Sequence, residues 1–191
     1  MQTPKPAAVA VLLATYNGSR HVEQQIKSLK GNDVPFTLHW LDDHSTDNTR
    51  EVVRSAAQKA NIPLLEWHQP THQGVPGSFF QLLECVKADI YLFCDQDDIW
   101  QPGKIDATVA NLIPDIDSPV LCSSDIFWFN DNEPWVARSL SQIIGKRRLL
   151  TALQESPTFL MLGHATASGQ TQGFTRALRE LFLQHKDIAR K

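Results

Sequence analysis

The stretch "YLFCDQDDIW" (Tyr91–Trp100) joins an apolar run to three carboxylates within four residues. The run Ile90–Cys94 has the length and composition of a strand that is buried on both faces. Charged groups are costly to bury without partners, so a carboxylate cluster directly after such a strand indicates that a core element reaches the surface there. The pattern predicts a strand whose end presents Asp95, Asp97 and Asp98, either to a ligand or to solvent.

Two earlier segments repeat this arrangement of an apolar run followed by a polar turn. "VAVLLA" (Val9–Ala14) is followed by "TYNGSR", and a strand over residues 36–41 is followed by "DDHSTDNT" (Asp42–Thr49). A further strand is expected near residues 62–67. Helix-period patterns separate these strands. Strand–helix alternation over residues 9–113 therefore predicts an open, mostly parallel α/β sheet flanked by helices.

Local signals indicate where the helices between these strands begin and end. Gly31 fits the end of a first helix, and Asn48 with Glu51 has the spacing of a capping box at the start of a second. "HQPTHQGVPGS" is expected to be a loop that leads to a third helix over residues 79–87. Pro102 is expected to open a fourth helix.

The pattern after residue 113 is weaker, and no repeat or linker interrupts it. We expect one domain at residues 8–191, after a loose tail at residues 1–7. The remaining expected elements are a strand over residues 119–129, a helix over residues 140–153, a strand over residues 159–163 and a helix over residues 175–186.

The composition of the chain is that of a globular domain. With 191 residues, of which 42% are apolar and 20% charged, the chain is long enough to bury a core and differs from a disordered segment. The formal net charge of -3 argues against a general nucleic-acid-binding surface. An anionic ligand would therefore need local donors or a metal ion.

The cysteines and the apolar runs bear on the cellular compartment. Cys85, Cys94 and Cys122 are odd in number and widely spaced, which favours buried reduced thiols over disulfides or a zinc site. The N-terminal apolar run spans only Ala7–Ala14 and is too short to cross a membrane. We expect a cytoplasmic protein, with peripheral contact to the inner face of a membrane as an open alternative.

The acidic stretch has the chemistry of a site for a hard divalent cation, since carboxylate oxygens suit Mg²⁺ or Mn²⁺. Residues two apart in an extended segment point the same way. Asp95 and Asp97 can therefore share one ion, whose open positions phosphate oxygens of a substrate can fill. Asp98 is expected to face elsewhere, as a cap for the helix at Pro102, and Trp100 to border the site. A solvated acidic turn is the alternative.

The ends of the three strands are expected to meet, because ligands of open parallel sheets bind beyond the carboxyl ends of the strands. At the second strand, Asp42 and Asp43 can accept hydrogen bonds from a nucleobase or ribose, or they can cap the following helix. At the first strand, Thr15, Tyr16 and Asn17 offer hydroxyl, ring and amide contacts to a base and sugar. A plain strand-to-helix turn is the alternative there.

The segment "GVPGSF" (Gly74–Phe79) holds two glycines and a proline ahead of the expected third helix. Gly77 can permit close approach of the backbone to a ligand. Backbone N–H groups at the helix start can also meet an anion. A tight loop without a ligand is the alternative.

Four segments together resemble, in order and spacing, the family 2 (GT-A type) inverting glycosyltransferases: "VLLATYNGSRHVEQQIKSL", "LDDHSTDNT", "GVPGSF" and "DIYLFCDQDDIWQPGKI". The last segment is similar in particular to bacterial rhamnosyltransferases of cell-surface polysaccharide synthesis. The resemblance covers about residues 8–181, since "SGQTQGFTRALREL" is similar to a later acceptor-side strand and helix. It implies a GT-A (Rossmann-like) fold with a nucleotide-sugar-binding half at residues 8–113 and a partial acceptor-side half at residues 114–191.

The resemblance also implies ligands and residue roles. The donor would be a dTDP- or UDP-linked sugar, the acceptor a saccharide or a lipid-linked acceptor, and the cofactor Mg²⁺ or Mn²⁺. Asp95 and Asp97 would form a DxD element, with Asp97 the stronger metal ligand. The implied nucleotide-sugar-binding residues are Thr15, Tyr16, Asn17, Asp42, Asp43, Gly77 and Asp95.

The catalytic base of the family lies a short distance beyond the last helix, whereas this sequence stops at Lys191. The catalytic base of this chain is unknown from the sequence, and Asp187, in "HKD", is the candidate for it. We therefore expect an intact donor half and a truncated catalytic half. Two interpretations follow: an inverting transferase of surface-polysaccharide synthesis, with rhamnose as a candidate sugar, or a non-catalytic nucleotide-sugar-binding module that needs a partner or a missing C-terminal segment. A pyrophosphorylase is disfavoured, because its glycine- and basic-rich N-terminal loop is missing.

Overall fold

The computed structural model describes residues 6–125, 127–130, 133–139 and 172–184. The strands are β1 (Val9–Thr15), β2 (Thr37–Asp42), β3 (Leu64–Trp67), β4 (Ile90–Cys94), β5 (Leu121–Ser123), β6 (Phe127–Asn130), β7 (Glu133–Ser139) and β8 (Gln172–Thr175). Six of them form one sheet in the order β3-β2-β1-β4-β8-β5, and β6 pairs with β7 in a separate two-stranded sheet. β1 to β4 pair in parallel, whereas β8 is antiparallel to β4 and β5.

The helices lie on both faces of the six-stranded sheet. They are α1 (Val22–Ser28), α2 (Thr49–Ala60), α3 (Gly74–Cys85), α4 (Lys104–Leu112) and α5 (Arg176–Gln184), with a short 3-10 helix at Ile113–Asp115. One apolar core joins the sheet to α1, α2 and α4, and a second core joins it to α3 and α5.

β1 is the central element of both cores. All seven of its residues are buried, and it is paired with β2 on one side and β4 on the other. Because side chains alternate along a strand, Val11 and Leu13 pack in the first core, whereas Ala10 and Leu12 pack in the second. A strand covered on both faces explains why its sequence is a continuous apolar run.

The close packing of α4 on β8 depends on a glycine. Gly173 of β8 lies opposite Leu92 of β4, and a Cβ atom at position 173 would overlap the side-chain methyl group of Thr108 in α4. Only a residue without a side chain lets the helix pack this closely on β8.

The predicted α/β architecture and the strand–helix order through residue 113 are confirmed, but the third helix begins earlier than predicted. The loop predicted at "GVPGSF" is wrong, because Gly74 already starts α3. Gly74 has a φ of 74° that glycine tolerates, and its N–H donates to Asp43 Oδ2 at 2.7 Å. Pro76 lies in the first turn, where its missing N–H costs no helical hydrogen bond.

Two predicted helix caps are also wrong. Asn48 is the N-cap residue of α2 but its side chain makes no capping hydrogen bond; the Asp47 carboxylate accepts from Thr49 N at 3.0 Å instead. α4 begins at Lys104, after Gly103, and has no side-chain cap, so Asp98 does not cap it. The strand predicted over residues 119–129 is two strands, β5 and β6, which belong to different sheets.

Several predictions lie outside the described residues: most of the tail at residues 1–7, the helix over residues 140–153, the strand over residues 159–163, and Asp187. The helix predicted over residues 175–186 is confirmed as α5. In the described ranges, no helix has the length and apolar character needed to cross a membrane. The cytoplasmic location stays a prediction.

Candidate functional site

The three polar segments meet at one edge of the sheet, as predicted. In the parallel pairing, Thr15 at the end of β1 lies opposite Asp42 at the end of β2, and Leu13 lies opposite Cys94 at the end of β4. The segments that continue from these ends are called the β1 loop (residues 16–19), the β2 loop (residues 43–48) and the acidic turn (residues 95–98). Hydrogen bonds join the β1 loop to both of the others.

Asn17 holds the β1 loop against the β2 loop. Its backbone N–H donates to Ser45 Oγ at 2.9 Å, and its side-chain Oδ1 accepts from Thr46 N at 2.8 Å. Ser19 N donates to Asp47 Oδ2 at 3.2 Å, next to these bonds. Asn17 has a φ of 47°, in the left-handed region that asparagine adopts more readily than most residues. The amide that was expected to face a base is thus used to order the two loops.

Asp42 is the most densely bonded carboxylate at the base of the site. It accepts hydrogen bonds from Thr15 Oγ1 at 2.9 Å, Ser45 Oγ at 2.6 Å and Arg50 Nε at 2.7 Å. Burial by itself raises the pKa of the Asp42 carboxyl, but the hydrogen bonds from Ser45 and Arg50 outweigh burial and the net pKa is lowered. Thr15 Oγ1 in turn accepts from Trp40 Nε1 at 2.9 Å, which connects the site to the core.

Asp43 is buried, with 2% of its surface exposed, and its carboxylate organises the segment between β3 and α3. It accepts from the backbone N–H groups of Gln73 at 2.9 Å and Gly74 at 2.7 Å, and also from Gln69 Nε2. His72 Nδ1 lies 2.9 Å from Asp43 Oδ2. Asp43 therefore caps α3 across the edge of the sheet. Its direct contact with a nucleobase stays a prediction.

Two rings provide the exposed aromatic surface of the site. The ring centroids of Tyr16 and His72 are 4.6 Å apart, with an interplanar angle of 45°. Tyr16 is 44% exposed, and the His72 side chain is 53% exposed. Aromatic side chains of this kind stack on nucleobases, because every base presents a flat π-face. The exposure of the Tyr16 ring is compatible with the sequence prediction that Tyr16 contacts a base. The His72 ring extends the same aromatic surface.

The acidic turn differs from the β2 loop in bringing carboxylates close to one another, with one buried carboxylate oxygen that has no hydrogen-bond partner among the described residues. Burial raises the pKa of Asp95 to about 6, with further raising by the negative charges of Asp98 and Asp97. Oδ2 of Asp98 is buried, and no group in the described part of the chain donates a hydrogen bond to it. Asp97 is exposed. A cation held at this turn would relieve the repulsion between the carboxylates.

The residues of the acidic turn fit a metal ion that is shared with a substrate. Among the described residues, no three His, Cys, Asp or Glu side chains form a group that could hold a metal by themselves. Asp95 and Asp97 nevertheless supply hard oxygen ligands from one turn. Mg²⁺ is usually bound by one or two carboxylates together with waters and substrate phosphates, and this arrangement matches such a site better than a closed protein cage.

Lys104 and Trp100 lie beneath the acidic turn. Trp100 is 3% exposed and packs in the first core, so it does not form the exposed border of the site that its position suggested. Lys104 Nζ lies 4.0 Å from the centroid of the Trp100 ring. Burial lowers the pKa of Lys104 to about 8, although Asp98 and Asp95 oppose that shift. The lysine places a positive charge behind the carboxylates.

Gly77 lies within α3 rather than in a loop. A Cβ atom there would lie 2.5 Å from Cβ of Gln73, so the glycine is explained by packing inside this part of the chain. Its closeness to a nucleotide stays a prediction.

Sequence reasoning did not identify Gln69, His72 or Gln96 as site residues. Gln96 lies between two aspartates and is hydrogen-bonded to Tyr16. Its position inside the acidic motif was the sequence signal that could have identified it as a site residue.

The fold is that of GT-A glycosyltransferases, and the chain belongs to glycosyl transferase family 2. The family profile of that description, Glycosyl transferase family 2, matches residues 10–174. The match includes β1 to β5 and most of β8, and so contains every segment of the sheet edge described above. The recognition of this family from its sequence motifs is confirmed.

Individual relatives agree with this assignment. The dTDP-rhamnosyl transferase RfbG of Shigella flexneri is 32% identical over 108 residues, which cover 53% of this chain and 37% of the relative. The mannosyltransferase PcManGT of Pyrobaculum calidifontis, solved with GDP-Man and Mn²⁺, has a TM-score of 0.65 at 18% identity, covering 95% of this chain and 47% of that protein. TarS of Staphylococcus aureus, solved with UDP-GlcNAc, has a TM-score of 0.64 at 19% identity, covering 95% of this chain and 48% of TarS. The matched parts thus span less than half the length of each protein.

Removing the Asp43 carboxylate should destabilise the fold. In Asp43→Ala the partly buried N–H groups of Gln73 and Gly74 lose their acceptor, so we expect the free energy of unfolding to fall by about 1–3 kcal/mol. Asp43→Asn keeps one acceptor oxygen and should lose about half as much. Urea denaturation measures both, with Asp33→Ala, at an exposed aspartate, as the matched control. Equal stability of Asp43→Ala and the control would contradict the capping role.

The lowered pKa of Asp42 predicts a pH dependence of stability. Because the carboxyl has a lower pKa in the folded state than its ordinary 3.8, the ionised form stabilises the fold fully above that value. This contribution is lost as the pH falls through the folded-state pKa. Asp42→Asn should therefore be less stable than the parent at pH 7, with a difference that shrinks below about pH 4. Urea denaturation from pH 7 to pH 3 tests this, and a difference that is independent of pH would argue against it.

Proposed function

We propose that the chain forms the donor site of a metal-assisted, inverting glycosyltransferase whose donor is a nucleotide-diphosphate sugar. The observation that carries the proposal is the sheet edge itself. There the backbone of Tyr16, whose ring is exposed, is hydrogen-bonded to an acidic turn in which three carboxylates lie close together and Oδ2 of Asp98 has no hydrogen-bond partner among the described residues. A base at one end and a diphosphate with its cation at the other would match these two surfaces.

The residues divide into those that contact the donor and those that shape the site. The Tyr16 ring, with His72 beside it, would contact the base, and Asp95 and Asp97 would hold Mg²⁺ or Mn²⁺ at the diphosphate. Thr15, Asn17, Asp42 and Asp43 would act mainly by ordering the loops, since their side chains are already hydrogen-bonded within the protein. Gly77 would lie near the nucleotide through the start of α3.

The reaction would be a single displacement at the anomeric carbon. The acceptor hydroxyl oxygen forms a bond to that carbon while the bond to the diphosphate oxygen breaks, and the leaving diphosphate keeps the bonding electron pair. A carboxylate base takes the proton of the hydroxyl group, with Asp187 as the candidate. When bound, the metal ion would act as a Lewis acid that stabilises the charge on the leaving diphosphate.

The particular substrates are the finer part of the proposal. Similarity to a dTDP-rhamnosyl transferase supports a dTDP-linked donor with rhamnose as the sugar, and a neighbour solved with UDP-GlcNAc supports testing UDP-linked donors in parallel. A neighbour solved with Mn²⁺ supports the metal. The acceptor would be a saccharide or a lipid-linked acceptor of a surface polysaccharide, reached at the cytoplasmic face of a membrane.

Ligand binding provides the first test of the site. UDP or dTDP at 100 times its Kd, with Mn²⁺, should stabilise the protein by about 2.7 kcal/mol and raise its Tm. Asp97→Ala should abolish the part of this shift that depends on Mn²⁺, because the turn loses its exposed carboxylate. Asp115→Ala, at an exposed aspartate remote from the sheet edge, is the matched control. A Mn²⁺-dependent shift that survives in Asp97→Ala would exclude the metal role of that residue.

Turnover separates the transferase from a module that only binds the donor. The protein is incubated with dTDP-rhamnose or UDP-sugars, Mn²⁺ and a panel of saccharide and lipid-linked acceptors, and the release of dTDP or UDP is measured. Acceptor-dependent release supports the transferase. Persistent donor binding without release across the panel would instead support a nucleotide-sugar-binding module that needs a partner or a further segment.

A further inference from the structure

Gln96 joins the two ends of the proposed donor site. Its side-chain Oε1 accepts a hydrogen bond from Tyr16 N at 2.9 Å, and its Nε2 donates to Tyr16 O at 3.2 Å. The Gln96 amide therefore pairs with both the backbone N–H and the backbone C=O of Tyr16, as a residue of a neighbouring β-strand would. Because Gln96 lies between Asp95 and Asp97, a single side chain connects the acidic turn to the β1 loop.

Gly18 leaves the space that this side chain occupies. A Cβ atom at position 18 would lie 2.5 Å from Cδ of Gln96 and 3.2 Å from its Nε2, and closer still to Oε1. Gly18 is not among the residues with positive φ, so its backbone conformation is open to alanine. A side chain at position 18 would therefore have to displace the Gln96 amide. This is a second observation that the bridge between Gln96 and Tyr16 is built into the site.

We propose that Gln96 is a positioning residue that couples metal binding at the acidic turn to nucleotide binding at the β1 loop. The inference rests on the proposed function, since it assigns a role within the same donor site. The position of the acidic turn brings the Gln96 amide within hydrogen-bonding distance of Tyr16. A cation that orders Asp95 and Asp97 would therefore also fix the backbone of Tyr16, and with it the ring that contacts the base. By linkage, a bound nucleotide would strengthen metal binding by the same factor.

The coupling can be measured directly as a ratio of affinities. The Kd of UDP, and in parallel of dTDP, is determined by titration calorimetry with EDTA and with saturating Mn²⁺, and the ratio of the two values is the coupling factor. In Gln96→Ala the direct bonds between metal and phosphate remain, but the connection to the β1 loop is lost. We expect the coupling factor to fall about tenfold, the scale of two lost hydrogen bonds. Gln101→Ala, at an exposed glutamine close by in the chain, should leave the factor unchanged.

Gly18→Ala is a second, independent way to break the hydrogen bonds between Gln96 and Tyr16. The added methyl group must displace the Gln96 amide, so this variant should lower the coupling factor about as much as Gln96→Ala does. The double variant should lose no more than either single variant, because the bridge is already broken in each and Gln96→Ala removes the atoms that the methyl group would meet. This second variant also keeps the test decisive should Gln96→Ala fold poorly.

The possible outcomes separate this inference from the proposed function. A tenfold loss of coupling in both single variants, without additivity, supports the positioning role. Equal weakening of UDP binding with and without Mn²⁺ would overturn it, since a purely structural role changes both affinities alike and leaves the ratio unchanged. An unchanged coupling factor in Gln96→Ala would overturn it as well, while the donor site would stand. Absence of any UDP or dTDP binding in the parent protein would overturn the proposed function, and this inference with it.

Discussion

The parallel pairing of β1 with β2 and β4 is the constraint on which the rest of the structure depends. β1 is buried along its whole length and hydrogen-bonded on both sides, so its position cannot shift without disturbing both cores. Its register sets Thr15 against Asp42 and brings the end of β4 to the same edge. A slip of one residue would reverse which side chains face each core. The geometry of the loops therefore follows from the packing of an apolar strand.

The carboxylates at this edge fall into two groups with opposite electrostatic environments. Asp42 and Asp43 are surrounded by N–H and O–H donors of the protein. Their carboxylate oxygens stabilise the loops and are therefore less available to a ligand. In the acidic turn, by contrast, Asp95 has a raised pKa and Asp98 keeps a buried oxygen without a hydrogen bond. The protein satisfies the first group itself, and the second group is the one that we propose to hold a cation.

The sequence was sufficient for β1 to β4 and insufficient for the later strands and for contacts between distant segments. Apolar runs that end in polar turns identified β1, β2 and β4, because burial on both faces leaves a continuous signal. The start of α3 was missed because its cap is the Asp43 carboxylate, thirty residues earlier in the chain. Asp43 and Asn17 were predicted as ligand contacts from their positions at strand ends and from the family resemblance, and their hydrogen bonds within the protein could not be read from local pattern. The bridge from Gln96 to Tyr16 is likewise visible only once the sheet is folded.

The position of β8 has a consequence for the order in which the chain can fold during synthesis. β8 lies between β4 and β5 in the sheet, although it follows β5 in sequence. The parallel unit of β1 to β4 can assemble once residue 94 has left the ribosome. Among the described strands, the partner of β5 is β8, which follows about fifty residues later, or several seconds at typical rates of translation. The loops that follow β1, β2 and β4 can thus form on a sheet that is still open on one side, because the edge of β4 that pairs with β8 stays unpaired until β8 is synthesised.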